Sequence, residues 1–233
     1  MADRASLPVQ LAQLAAAGPP EVPLAGRVCE AARVLLGADG ASVTMGRPAG
    51  DRVTLCATDD RSGELEDLQD VLGEGPCQDA FRQRRPAWSP ARAGTEAASR
   101  WPAFSPAAAL ILGPDGGLWS FPMCVGSVVI GTLSVYRLAG ETLAEPTGAA
   151  QALADAAGAL LVLDPPAASD TPAAGGFGAR AVVHLAVGKL AAQLGLTPED
   201  ALAVLRSRAF GANAQLVRVA RAVLDDNVDL TGR

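Results

Sequence analysis

The chain has 233 residues with a formal net charge of −6, 49% hydrophobic residues and 19% charged ones. This balance excludes a wholly disordered polypeptide and is enough to build one large domain, or a standard domain with a small one beside it. No apolar window approaches the ~18 uninterrupted residues of a membrane span, and the N-terminal MADRASLPVQLAQLAAAG has no apolar stretch of signal-peptide length, so a cytoplasmic protein is expected.

From Glu21 to Leu36, the residues Leu24, Val28, Ala31, Ala32, Leu35 and Leu36 recur at helical spacing and predict an amphipathic helix. Gly40–Met45 and Asp51–Thr58 are short strand-like runs joined by the turn signal GRPAG, which predicts a hairpin. The acidic cluster that follows (Asp59, Asp60, Glu64, Glu66, Asp67, Asp70) matches no calcium-loop spacing and reads as a solvated loop. LGEGPC lacks the GK[ST] of a phosphate cradle and reads as a turn, with a helix behind it over Asp79–Arg84. Trp119–Met123 and Ser127–Arg137 have the β-branched and aromatic content of strands, and Thr147–Leu163 is a long alanine- and leucine-rich helix. Helix, hairpin, helix, two strands and helix make an α+β order with an antiparallel sheet flanked by helices.

Residues 164–178, rich in proline and glycine and without an apolar period, read as a flexible linker between a domain over 1–163 and a small all-α domain over 179–233. In the latter, Arg180–Leu194 is apolar at Val183, Ala186, Val187, Leu190 and Leu194 and stops at Gly195. Thr197 is the N-cap of a second helix, Pro198 fills its first position, and Asp200 places negative charge in its first turn. Its stripe is Ala201, Leu202, Leu205 and Ala209. Asn213 is a candidate cap for a third helix with Leu216, Val219, Ala220 and Val223 at i, i+3, i+4, i+7. Three such short helices bury one another's stripes, and none is stable alone.

The charge is unevenly spread: seven basic residues face five acids from 179 onward, against 12 and 20 before it. That asymmetry suits a polyanionic partner, and it also suits a solvated basic face. At about 100° per residue, Arg206 and Arg208 fall on either side of the Leu205 stripe, and Lys189, Arg218 and Arg221 also fall off the apolar positions.

Catalytic machinery is poorly represented, and no enzyme is expected. The single histidine, His184, lies in the tail, so histidine-ligated haem or metal is excluded from residues 1–178, and GxSxG, P-loop, GxGxxG and HExxH motifs are missing. Cys29, Cys56, Cys77 and Cys124 form no CxxC pair and are expected to be reduced, mostly buried thiols. Cys77, directly after Gly75-Pro76 in GEGPCQDA, is the candidate for an accessible, ligand-binding thiol. Trp101, Phe121 and Cys124 join it as candidate pocket residues around the presumed sheet.

The tail, RAVVHLAVGKLAAQLGLTPEDALAVLRSRAFGANAQLVRVARAVL, resembles the ANTAR domain, a three-helix RNA-binding module of transcription antitermination regulators. The likeness rests on Ala186-x-Gly188, the run Asp200, Ala201, Leu205, Arg206, Ala209, and the run Leu216, Val219, Ala220, Val223. Upstream, LGEGPCQDAF, RWPAF, SFPM and GTLSVY resemble the GAF domain that precedes ANTAR in many actinobacterial proteins. The resemblance implies a homodimeric regulator in which the GAF domain senses a small-molecule or redox signal of unknown identity. Its ANTAR helices would bind RNA stem-loops with hexanucleotide loops and prevent a terminator from forming. It assigns RNA contact to Arg180, Lys189, Arg206, Arg208, Asn213 and Arg218. Two other readings of the same residues stay open: a DNA-binding regulator, and a sensor or scaffold whose tail only dimerises.

Overall fold

The structure is a computed structural model that describes residues 6–46, 52–92, 94–140, 142–163, 176–212, 214 and 216–225. The predicted linker therefore lies mostly outside the described residues, as do Asn213 and the turn of the hairpin. The side chains of Arg180 and His184 lie outside them too.

The first part of the chain is a three-layer arrangement around one antiparallel sheet. Strands β1 (Gly40–Gly46), β2 (Arg52–Ala57), β3 (Ala87–Pro90), β4 (Gly117–Val125) and β5 (Val128–Arg137) stand in the order β2-β1-β5-β4-β3. Helices α1 (Ser6–Ala17), α2 (Leu24–Leu35) and α7 (Thr147–Leu163) cover one face. The other face carries α3 (Asp60–Leu72), α4 (Pro76–Gln83) and α6 (Phe104–Leu112), with the short α5 (Glu96–Arg100) leading into α6. The antiparallel α+β sheet, the hairpin and the α2 and α7 helices are as expected, and α4 starts at Pro76, three residues before the predicted Asp79.

Alternation along the strands makes the two faces chemically different. Ala41, Val43, Trp119, Phe121, Met123, Leu133 and Val135 point into an apolar core shared with α1, α2 and α7. Their neighbours Ser42, Thr44, Ser120, Thr132 and Ser134 are equally buried but point the other way. The register sets Ser42 and Ser120 on either side of Ser134, and Thr44 opposite Thr132, so a patch of hydroxyls lies under α3 and α4. Farther along the same face, Leu65, Trp101, Phe104, Ala108, Leu112, Leu118 and Tyr136 form a second apolar cluster.

The acidic stretch is the main correction to the sequence reading. It is a helix and not a solvated loop: Asp59 caps α3 by accepting the Ser62 N–H at 2.7 Å, and Gly73 ends it in the left-handed conformation. Glu66 and Gln69 lie on its buried side. Leu65, Leu68 and Leu72 were the helical signal, hidden among six acids.

The second part is a bundle of α8 (Gly176–Leu194), α9 (Pro198–Gly211) and α10 (Leu216–Leu224), with α8 starting inside the stretch predicted as linker. The α9 cap forms as expected, with Thr197 Oγ1 accepting the Asp200 N–H at 3.1 Å and donating to its carboxylate at 2.7 Å. Ala186, Val187, Leu190, Ala201, Leu205, Ala209, Leu216, Ala220 and Val223 form its core, and Val71 of α3 joins the same cluster. Accordingly, α9 packs on α3 and α8 packs on β2.

Candidate functional sites in the sheet chamber and on the helical bundle

The chamber between the hydroxyl patch and α3–α4 is organised by Glu66 and Gln69. Glu66 is buried and accepts hydrogen bonds from Ser42 Oγ at 2.8 Å and Thr44 Oγ1 at 3.2 Å. Gln69 ties the α3–α4 turn together: its Oε1 accepts the Cys77 N–H at 2.7 Å, and its backbone carbonyl accepts from Gln78 Nε2 at 3.1 Å. Gly75, at φ +131°, is obligatory here because a Cβ would stand 2.6 Å from the Gln69 side chain. The turn expected at LGEGPC is therefore a clasp held by the Gln69 and Gln78 side chains.

Cys77 is not the accessible thiol its glycine and proline neighbours suggested. It sits in the first turn of α4 with no exposed surface. Arg52 Nη1 donates to its sulfur at 3.1 Å, and Thr132 Oγ1 lies 2.8 Å away. Burial pushes the thiol up to about 12, although the Arg52 guanidinium pulls the other way. Arg52 itself pairs with Asp70 at 2.6 Å. Cys77 is thus a packing and hydrogen-bonding residue, inert as a nucleophile.

The other three candidate pocket residues do not gather around it. Trp101 is buried in the second apolar cluster, donates to Asp79 Oδ2 at 3.1 Å and lies under the Arg100 guanidinium. Phe121 points to the opposite face of the sheet, among α1, α2 and α7. Cys124, at the end of β4, has its N–H bonded to Asp155 of α7 at 2.9 Å. The side chains that do converge are Ser42, Ser62, Leu65, Leu118, Ser134 and Tyr136, and they close around a space too small for a water molecule. Tyr136 donates to Asp59 Oδ2 at 3.0 Å, and burial followed by the Asp59 charge pushes its phenol up to about 12. Sequence reading missed this set because serines and threonines alternating with apolar residues look like the solvent side of a strand.

On the helical bundle the predicted contacts divide. Arg208 and Arg218 are exposed, as is Arg221. Lys189 is half-buried, and its ammonium donates to the Leu224 carbonyl at 3.0 Å, where it serves the C-terminal end of α10. Arg206 is also half-buried, and a methyl group added at Gly73 would lie 3.8 Å from its Nη1. Its guanidinium is therefore beside the C-terminus of α3, the negative end of that helix dipole. Gly188, in the middle of α8, is exposed with nothing within 4 Å of where its Cβ would be. An open groove of about 470 Å³, lined by Val204, Ser207, Arg208, Gly211 and Ala212, runs along the end of α9. Among the described residues, no helix is long and apolar enough to cross a membrane.

The GAF domain family model matches residues 23–162, and the ANTAR domain model matches residues 177–224. No curated protein matches the chain in sequence. Among solved structures, the A. aeolicus nlh2 GAF domain in an inactive state is 12% identical with a TM-score of 0.48, covering 69% of this chain and 96% of its own. The GAF domain from a phosphoenolpyruvate-protein phosphotransferase of Coxiella burnetii is 19% identical with a TM-score of 0.48, over 69% and 93% of the two chains. The corresponding Acinetobacter domain is 11% identical with a TM-score of 0.46, over 70% and 98%. A GAF sensor followed by an ANTAR domain fits a signal-responsive regulator, and the chain belongs to the GAF domain family, with an ANTAR domain behind its GAF domain.

Proposed function

We propose that the protein is an RNA-binding regulator of transcription antitermination. Its ANTAR bundle, working as a homodimer, grips paired RNA stem-loops with hexanucleotide loops and so keeps a terminator hairpin from forming. The main support is the outward set of guanidinium groups, Arg208, Arg218 and Arg221, on a bundle with its own apolar core. Arginines neutralise phosphates and also stack on or hydrogen-bond unpaired bases, which is how RNA loops are read. Gly188 adds to this: a mid-helix glycine costs about 1 kcal/mol against alanine, and no contact in the described chain asks for it. A bare backbone there lets a partner come close.

Arg206 supplies the coupling. While Val71 sits in the bundle core and the Arg206 guanidinium lies at the end of α3, that arginine is engaged with the sensor. Sensor docking and RNA therefore compete for it, and a signal that moves α3 shifts the balance by linkage. The signal, a small molecule or a redox change, acts through the GAF chamber or its surroundings. No step is catalytic, since the protein acts by binding.

The test is a gel-shift titration of the full chain with paired hexaloop stem-loops, with duplex DNA of equal length as competitor. Stem-loop binding that survives the duplex is expected. Arg208→Ala should weaken it and reduce the slope of log K against log salt by about 0.7 per lost phosphate contact, with the dimer intact. Binding to neither nucleic acid, by wild type and by an undocked Val71→Asp variant, would leave a tail that only dimerises; preference for the duplex would make the protein a DNA-binding regulator.

A further inference from the structure

The GAF chamber uses Cys77, and Cys124 is held beside Asp155; the remaining two cysteines serve neither site. They lie 27 positions apart in sequence, on α2 and on the edge strand β2. Packing of α2 across the end of the sheet brings them together. The Cys56 thiol donates to the backbone carbonyl of Ala25 at 3.1 Å, and Ala25 lies one helical turn before Cys29 on the same buried face of α2. Cys29 belongs to the apolar core, and Cys56 packs against that core from its rim. The Cys56 sulfur therefore lies at the turn of α2 that carries Cys29, and the neighbouring Cys56 thiol, with burial, holds the Cys29 thiol well above its ordinary pKa. Both are free thiols, Cys29 buried and Cys56 half-exposed.

We propose that Cys29 and Cys56 are a redox pair that forms an intramolecular disulfide under peroxide. The order of events follows from exposure. The half-exposed Cys56 meets the oxidant: its thiolate attacks one peroxide oxygen, the O–O bond breaks, and hydroxide leaves and is protonated to water, giving a sulfenic acid on Cys56. The Cys29 sulfur then attacks the Cys56 sulfur, the S–O bond breaks, and the departing hydroxide takes up the Cys29 proton as water. Two thiols and one hydrogen peroxide give one disulfide and two waters. The buried Cys29 is suited to resolve and not to react first, because its thiol is held protonated until a neighbour presents an electrophile.

The position of the pair gives the bond a consequence. β2 is an edge strand paired with β1, and it also packs against α8 of the ANTAR bundle. A disulfide that draws β2 toward α2 changes the surface on which α8 sits. The effect on RNA rests on the function proposed above, whereas the chemistry of the pair does not.

The experiment treats the full-length protein, reduced and then freed of reductant, with stoichiometric hydrogen peroxide, and follows intact mass and peptide maps. A loss of about 2 Da and a cross-linked peptide joining Cys29 to Cys56 are expected. The Cys77→Ser/Cys124→Ser double variant should behave identically. Cys29→Ala should stop at a Cys56 sulfenic acid trapped by dimedone, and Cys56→Ser should show neither product. Hydrogen exchange of the oxidised wild type should change in β2 and α8 before it changes in β4. A cross-link at other cysteines, or no mass loss from wild type at peroxide levels that already oxidise methionine, would overturn the assignment. The wild-type map needs no variant to fold. A Cys29–Cys56 bond without RNA binding would sustain this inference while removing the RNA function.

Discussion

The GAF and ANTAR domains are held together in different ways. The GAF sheet is packed on both faces, with Phe121, Met123 and Leu133 on one side and Phe104, Trp101 and Leu118 on the other, and a buried hydroxyl network between sheet and helices. The ANTAR core is a single small cluster, Leu190, Leu205 and Leu216 with Val187, Val223 and four alanines and no aromatic ring among its buried residues, and it takes in Val71 from the sensor. Val71 thus adds buried area from the sensor to a core that has little of its own. In the function proposed above, that shared cluster is the route by which a change in the sensor would reach the basic helices.

Four substitutions test how separate the two domains are, from the largest effect to the smallest. Phe121→Ala should cost the GAF domain about 3–5 kcal/mol by leaving a cavity between the sheet and α7, read from urea denaturation. It should leave the ANTAR helices with their own transition; one shared transition would mean the two domains fold as a single unit. Val71→Asp puts a carboxylate into the shared cluster and gives up about 2 kcal/mol of burial, which limits the gain in stem-loop affinity on undocking to roughly thirtyfold. Unchanged or weaker RNA binding would show that docking does not compete.

Asp67→Asn probes the acidic face of α3. Burial, with Asp70, Glu66 and Glu64 adding repulsion, pushes the Asp67 carboxyl up to about 7. A carboxyl raised on folding keeps its proton longer than in the unfolded chain, so it costs nothing well below the unfolded value of 3.8. The cost grows as pH rises toward 7 and is complete above it. The variant should therefore be more stable than wild type by about 2 kcal/mol at pH 8, after discounting for partial solvent screening, with the difference vanishing as the pH falls below the unfolded carboxyl's 3.8. A constant difference across pH would point to packing and not charge. Gly188→Ala should stabilise α8 by about 1 kcal/mol in thermal denaturation while weakening stem-loop binding. Stabilisation with unaltered binding would take Gly188 out of the interface.

Much of the fold was legible from local pattern. The β1–β2 hairpin, the long strands β4 and β5, α7 and the three ANTAR helices have strong periods, and the Thr197–Asp200 box marks a helix start that depends on four residues alone. The sequence reading does not reach α1, β3, α5 and α6, and it takes α3 for a loop because its Leu65, Leu68 and Leu72 are diluted by carboxylates. The candidate sites were less legible. Helical spacing correctly sets Arg208 and Arg218 off the buried stripe. It also sets Lys189 and Arg206 off it, yet one donates to the end of α10 and the other lies beside the end of α3. A helical wheel locates a side chain relative to its own axis and says nothing of which neighbour it meets.

By itself, then, the amino-acid sequence determined the kinds of element, their order, the GAF and ANTAR motifs and the basic excess of the tail, because each of these depends on residues a few positions apart. Tertiary structure alone decided that Glu66 and Gln69 are buried, that Cys77 is sealed while Cys29 meets Cys56, and that Val71 and Arg206 join sensor to bundle. These are contacts between segments far apart in the chain, set by how layers pack, and no local period encodes them.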